Sequence, residues 1–233
     1  MLILGFETSG PAASVGICED GQLKAEYTLS NTRTHSETIL PLAARLMEDL
    51  GLQPQDLSAL AVNVGPGSFT GVRIGVCTAN AMGMALGIPV IGIDALAALY
   101  QGLRVASGPV CVVIDARNAN AYAALFENGA CIRQPEAVAL AEYLPQLPPD
   151  TLFAGDGALA YRKMIETLCF KPAFAPDDDA LNRAGLVLSA AWGEMERMGK
   201  GGWPMAATPL YLRPSQAERM WQQREKNKGE GNV

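Results

Sequence analysis

The chain has 233 residues, 49% of them hydrophobic, and a formal net charge of −6. That is enough apolar surface to bury a core and to exclude general disorder. An acidic chain repels phosphate backbones, which argues against holding nucleic acid unaided.

The opening, Met1-Leu2-Ile3-Leu4-Gly5-Phe6-Glu7, has no basic n-region and reaches an acid too early for a signal peptide. Residues 2–6 read as a strand, broken by the turn residues Glu7-Thr8-Ser9-Gly10-Pro11. Residues 13–18 resume as a strand, Asp20-Gly21 turns the chain and 22–29 returns, giving a three-stranded antiparallel meander. Over 36–50, Ile39, Leu42, Leu46 and Leu50 recur with a helical period closed by Gly51, and Pro41 is admissible only near that helix's first turn. A strand at 57–64 leads through Gly65-Pro66-Gly67-Ser68 into a helix that ends at Gly87. A strand at 88–93 and a helix over 94–103 follow, with Asp94 as the cap. The charge-free stretch 74–93 is long enough for a membrane span. Its four glycines, Thr78, Asn80 and Pro89, and its division into helix, stop and strand, predict soluble core instead.

Around Ser107-Gly108-Pro109 the pattern restarts. A strand at 110–114 ends in Asp115, another covers 121–126, and Asn128-Gly129 turns the chain. Glu7 precedes Asp20 by the same interval that separates Asp115 from Asn128, which predicts a duplicated α/β lobe. The lobes are expected at 1–108 and 109–213, with a polar tail over 214–233. The second copy reads less regularly: strand 151–154, turn Gly155-Asp156-Gly157, helix 158–168, loop 172–179, helix 182–198 and a short strand at 209–212. After Leu212, five Lys/Arg oppose three Glu, read as a frayed solvated terminus rather than a nucleic-acid arm. Five cysteines are odd in number and without close pairing. All but Cys169 lie in apolar runs, as buried reduced thiols would.

An acid-bearing hairpin in each of two lobes is the layout of the actin/hexokinase/Hsp70 (ASKHA) superfamily, whose hairpins cradle nucleotide phosphates. The corresponding residues are Glu7, Thr8 and Ser9 in the first lobe and Asp115 in the second. Arg117 and Asn118 put bulk where close approach to phosphate needs glycine, so a degenerate site is expected, a working one being the alternative. The run from Gly65 to Gly71 is either an anion-binding turn at a helix N-terminus or simply a tight turn; it matches neither the Walker loop nor the dinucleotide fingerprint. With His35 as the single histidine and no cysteine pair at ligand spacing, no metal site is expected, and no nucleophile elbow supports a serine protease. Asp177-Asp178-Asp179 reads as a solvated loop. The helix ending at Leu86 has Arg73 as its only charge and a stripe of Gly71, Gly75, Ala79 and Gly83. Lacking a polar outer face, it either packs against another protein or is buried within this chain. With Leu40 and Met47 of the 36–50 helix, these four are the expected interface residues.

The run Gly65-Pro66-Gly67-Ser68-Phe69-Thr70-Gly71-Val72-Arg73-Ile74-Gly75 combines with Gly87-Ile88-Pro89-Val90-Ile91-Gly92-Ile93. Together with Glu7-Thr8-Ser9, Thr34-His35-Ser36-Glu37 and Pro209-Leu210-Tyr211-Leu212-Arg213, it resembles the TsaB (YeaZ) family. The resemblance covers most of residues 1–130 and thins beyond. It implies an α/β ASKHA fold of two similar lobes, with mixed sheets flanked by helices, in a cytoplasmic protein. It further implies a non-catalytic subunit needed to form threonylcarbamoyl on the anticodon-adjacent adenosine of tRNAs reading codons that begin with adenine. The implied partners are the catalytic paralogue TsaD (the Kae1/Qri7 family), the ATPase TsaE and, in isolation, a second copy of this chain. tRNA is met only through the complex, no membrane is involved, and there is no cofactor of its own, ATP or ADP being left to a subunit junction. TsaD-type chains carry His-x-x-x-His for metal after the strand matching 88–93, where this chain has Ala95 and Leu99. The alternatives are an active ATP-dependent phosphotransferase or acyltransferase using Glu7 and Asp115, and, more weakly, a peptidase.

Overall fold

The computed structural model describes residues 1–30, 34–177, 180–199 and 201–213. The first sheet comprises β1 (Leu2–Glu7), β2 (Ala13–Glu19), β3 (Gln22–Leu29), β4 (Ala59–Gly65) and β5 (Val90–Asp94), in the order β3-β2-β1-β4-β5. The second comprises β6 (Val110–Asp115), β7 (Asn120–Glu127), β8 (Ala130–Ala139), β9 (Leu152–Ala154) and β10 (Ala173–Phe174), in the order β10-β9-β6-β7-β8. In both sheets the first strand runs antiparallel to the second and parallel to the fourth. The turns match as well. Asp20 and Gly21 (φ 48° and 81°) and Asn128 and Gly129 (φ 50° and 84°) form left-handed two-residue hairpins of the kind that suits strand twist. The duplication read from the acids and turns is therefore a duplication of sheet topology, and the fold is of the ASKHA type.

Both faces of each sheet are covered, which is why β1, β4 and β6 are almost wholly buried. Helices α1 (His35–Asp49) and α2 (Phe69–Leu86) pack on the face of the first sheet formed by Leu4, Phe6, Val15, Leu60 and Val62. The opposite face, with Ile3, Ala59, Ala61 and Ile91, is covered by α7 (Ala184–Met198) through Val187, Leu188 and Ala191. Helix α3 (Ala95–Gln101) does the reverse, leaving the first lobe to pack Leu96, Leu99 and Tyr100 on Val110, Val112 and Phe126 of the second sheet. Helices α3 and α7 also pack on each other between the sheets. The remaining face of the second sheet is covered by α4 (Leu140–Tyr143), α5 (Asp156–Ala160) and α6 (Arg162–Leu168). Although the sheets fall either side of residue 108, residues 184–212 return to the first lobe. Beyond α7, a strap over 203–212 is tied down by Val90 N to Pro204 O (2.9 Å) and Leu210 N to Val64 O (2.7 Å).

Several expectations change. Pro41 sits in the second turn of α1, not the first, on its exposed side where water can take the freed carbonyl. The 158–168 helix is two helices broken at Tyr161 (φ −111°, ψ 20°). The 172–179 loop contains β10. Residues 209–212 form the end of the strap rather than a strand. Cys77 is exposed on α2, unlike Cys18 and Cys111. The tail over 214–233, and Asp178 and Asp179, lie outside the described residues. No helix among the described residues is long and apolar enough to cross a membrane.

Candidate functional site

The first-lobe loop is filled by its own chain. Glu7 is fully buried; its Oε1 accepts from Ser9 N (2.5 Å) and its Oε2 from Asn63 Nδ2, while Asn63 Oδ1 accepts from Gly65 N (2.8 Å). Burial pushes the Glu7 carboxyl above its ordinary pKa, and the hydrogen bonds from Ser9 and Asn63 pull against that shift. Thr8 Oγ1 donates to Gly71 O (2.7 Å), Ser68 N donates to Ser9 O (2.8 Å), and His35 Nε2 lies 3.0 Å from Gly10 O. Because that carbonyl can only accept, His35 Nε2 carries the proton and is held in a structural bond. The Gly65–Gly71 run packs directly on the β1–β2 loop, with Ser68 Oγ capping α2 through Gly71 N (3.2 Å). A tight turn, one of the two readings of that motif, accounts for it.

The second-lobe loop is built differently. Asp115 Oδ1 accepts from Arg117 N (2.7 Å) and Tyr161 Oη (2.6 Å), while Asp115 N donates to Asp156 Oδ1 (3.0 Å). Burial raises the Asp156 pKa, and its backbone bonds from Asp115 and Gly157 offset part of the rise. Arg117, Asn118 and Ala119 are all left-handed (φ 64°, 55° and 54°), a conformation glycine adopts freely and side chains resist. Asn120 Nδ2 braces the turn by donating to Asn118 O (2.8 Å). The exposed side chains of Arg117 and Asn118 stand where the sequence placed bulk.

A cavity of about 400 Å³ opens where the lobes meet the strap, walled by Asp94 and Ala97, by Phe126 and Cys131, and by Leu210 and Leu212. Asp94 Oδ1 caps α3 by accepting from Leu96 N (2.8 Å) and Ala97 N (2.9 Å), whereas its Oδ2 is closed from solvent and has no partner among the described residues. Burial raises its pKa to about 6, against the lowering effect of the two backbone bonds. Cys131 on β8 is a titrating neighbour, and its thiol is raised by burial and then by the Asp94 charge. A folded pKa above the unfolded value of 3.8 means that this stabilisation is complete below pH 3.8 and lost as pH rises through 6. The two pKa values differ by enough for roughly 2–3 kcal/mol. Asp94→Asn keeps the cap and removes the titration. Denaturant melts at pH 4, 5, 6 and 7 are expected to show the mutant gaining on the natural protein by about that amount toward pH 7. A constant difference across that range would contradict the assignment.

The expected interface residues divide sharply. Gly71, Gly75, Ala79 and Gly83 face inward, against Thr8, Val62 and Val90, and Met47 is only 5% exposed in the same core. The small residues serve the chain's own loop and sheet, so five of the six residues expected at an interface are core. Leu40 alone is exposed, at 49%. The outer face of α2 is instead Cys77, Ala81, Met84 and Ala85, with Ile74 and Thr78 half-buried; Met84 is 81% exposed. The exposed Arg73 lies at the N-terminal end of α2: its guanidinium sits 4.0 Å from the ring centroid of Phe69, one turn earlier in the helix, and Nε donates to Tyr211 Oη of the strap (3.0 Å). Asn80 pins the strap with two bonds to Ala207. Ala95 and Leu99, at the positions of the paralogue's metal ligands, are buried against the second sheet.

Residues 22–175 match the family described as "TsaD: tRNA N6-adenosine threonylcarbamoyltransferase". The tRNA threonylcarbamoyladenosine biosynthesis protein TsaB of Bacillus subtilis (strain 168) is 30% identical over 228 residues, covering 95% of this chain and 98% of that protein. TsaB of Escherichia coli (strain K12) is 32% identical over 232 residues, covering 91% and 95%. Among solved structures, YeaZ from Pseudomonas aeruginosa aligns with a TM-score of 0.75 at 26% identity, covering 91% and 99% of the two chains. An inorganic polyphosphate/ATP-glucomannokinase from Arthrobacter sp. aligns at 0.50 and 14% identity, covering 85% and 99%, a likeness of fold alone.

Proposed function

This chain belongs to the TsaB (YeaZ) family of tRNA threonylcarbamoyladenosine biosynthesis proteins, and from that premise we propose that it serves the pathway as a non-catalytic, cytoplasmic subunit whose task is to bind the catalytic paralogue. The observation that carries the reading is the apolar outer face of α2, which none of the described residues covers. A helix that already buries one side in its own sheet has no intrachain use for a second apolar side. Two further features support it. The Glu7 carboxylate is spent on its own loop, and the positions of the paralogue's metal ligands are core residues.

The face is helical and, apart from Arg73 at its end, free of charge, which suits a helix pair from a partner of the same fold. A contact of ~1,200–2,000 Å² in total would then form a four-helix layer. The same face would accept a second copy of this chain when the paralogue is absent. The TsaE ATPase and tRNA would join through the complex, with ATP or ADP at a subunit junction.

Ala81→Arg combined with Met84→Glu tests the reading. Both side chains are exposed, so the fold should change by less than about 0.5 kcal/mol. Circular dichroism should be normal, while light scattering and co-purification should show self-association and paralogue binding weakened tenfold or more. In cells whose own copy is deleted, the double mutant should fail to restore the modified adenosine. A folded double mutant that still captures the paralogue would place the interface elsewhere. Threonylcarbamoyl transfer or ATP turnover by the isolated chain would remove the non-catalytic part of the proposal.

A further inference from the structure

The cavity where the lobes meet the strap has no part in the assembly reading, and none of the described side chains fills it. Its body is apolar, from Ala97 on α3, Phe126 on β7, and Leu210 and Leu212 on the strap, while Asp94 is committed to the α3 cap. The described residues end at Arg213, one position past Leu212 in that wall. We propose that the cavity is the docking site of this chain's own C-terminal segment, with the Trp221 indole seated in it.

Position and chemistry choose this occupant. The segment over 214–233 starts beside the cavity and holds one aromatic side chain, Trp221, in a largely polar run. Nine positions separate Trp221 from Leu212, an extended reach of up to about 30 Å, so the segment can turn back onto the wall it has just left. A side chain on so short a tether meets the cavity at an effective concentration on the order of millimolar, which favours it over a free partner. An indole side chain of about ten heavy atoms fits a cavity of about 400 Å³ and recovers the cost of leaving that much apolar surface in water. Phe126 is held by its stack on Tyr100, with ring centroids 4.3 Å apart, and offers the indole an aromatic wall. The exposed Gln134 is the polar part of the lining and supplies an acceptor for the indole N–H. Charge favours the contact as well. Past Leu212, five Lys/Arg oppose three Glu, on a chain whose formal charge is −6. A single tryptophan in a polar run carries no periodicity, so the sequence reads only as a solvated terminus until the cavity is known.

The test is NMR of the ¹⁵N-labelled full chain, with the Trp221 indole resonance identified by its loss in Trp221→Ala. In the natural protein that resonance should lie away from the position of free tryptophan. Trp221→Ala should also shift the amides of Ala97, Cys131 and Gln134, which lose a ring current, while those of β2, three strands from β5, stay in place. Ala97→Leu, which fills the cavity, should return the Trp221 indole to the free position. The indoles of Trp192 and Trp203, both packed on the first sheet's core, report whether that variant is folded. Where it is not, the wall shifts in Trp221→Ala decide alone. All of these effects should survive tenfold dilution. A Trp221 indole at the free position in the natural chain, or wall amides unmoved by Trp221→Ala, would overturn the proposal. So would an indole unmoved by Ala97→Leu in folded protein, or shifts that vanish on dilution and so report the segment of a second copy.

Discussion

Gly71→Ala is expected to destabilise the chain by about 3 kcal/mol or more, a fall in Tm of ~6–12 °C for a chain of this size. A Cβ at residue 71 would land well inside van der Waals contact of the Thr8 carbonyl oxygen and 3.3 Å from His35 Cδ2. Thr8 O belongs to the backbone and cannot swing aside, and Thr8 Oγ1 is bonded to Gly71 O, so the two segments cannot part without losing that bond. Relief would require the N-terminus of α2 to lift off the β1–β2 loop, breaking the Ser68 N to Ser9 O bond as well. Gly10→Ala is the control, because nothing lies within 4 Å of a Cβ there and its change should be near zero. Chemical denaturation of the two variants decides between the two uses of the small-residue stripe. A Gly71→Ala protein as stable as the natural one, but unable to bind its partner, would return the stripe to the outer surface.

That contrast shows what was legible in the residues and what was not. The duplicated lobes could be read because the signals are local: an acid at a strand end and an Asx-Gly turn, both repeated at one interval. The Asp94 cap and the Gly87 stop were legible for the same reason, while Ser68 capping α2 emerges only from the structure. The direction of the glycine stripe was not. A helix with one charge is apolar on both sides, and periodicity alone cannot say which side meets the sheet. Close approach of the 7–10 loop settles it, and that loop lies some sixty residues earlier in the chain. β8 was missed because Arg133, Gln134, Pro135 and Glu136 give this edge strand a polar run, which edge strands tolerate and core strands do not. The strap carries no periodicity at all. Its place comes from Asn80, Arg73 and Val64, each far away in sequence, and the Asp94 cavity exists only because the strap closes it. What the sequence shows of Asp94 is a helix cap; the orphaned second oxygen is a property of packing.

Glu7→Ala should be the other severe substitution, costing ~2–5 kcal/mol, because it takes the acceptor away from two buried donors and empties a packed site. The carboxylate joins three segments: the end of β1, the loop at Ser9 and Gly10, and the end of β4 through Asn63. Truncation strands the Ser9 amide and Asn63 Nδ2 without acceptors in a site that excludes water, and leaves a void as well. Glutamine does not repair the loss. Asn63 Oδ1 is committed to Gly65 N, so Asn63 must present its amino group, and Ser9 presents an amide. One of these two donors would then face the glutamine amino group, for an expected cost of ~1–3 kcal/mol. Folding free energies by denaturant titration give the first readout. The second separates structure from chemistry: threonylcarbamoyl modification by the reconstituted complex at a low temperature where Glu7→Gln remains folded. If Glu7 only ties the loop, modification per folded molecule should match the natural protein. A variant of natural stability that has lost modification would make Glu7 a chemical participant and revive the phosphotransferase alternative. The direction of the Glu7 pKa bears on the choice, since a carboxyl raised by burial and bonded on both oxygens to its own chain is held for packing rather than offered to a ligand.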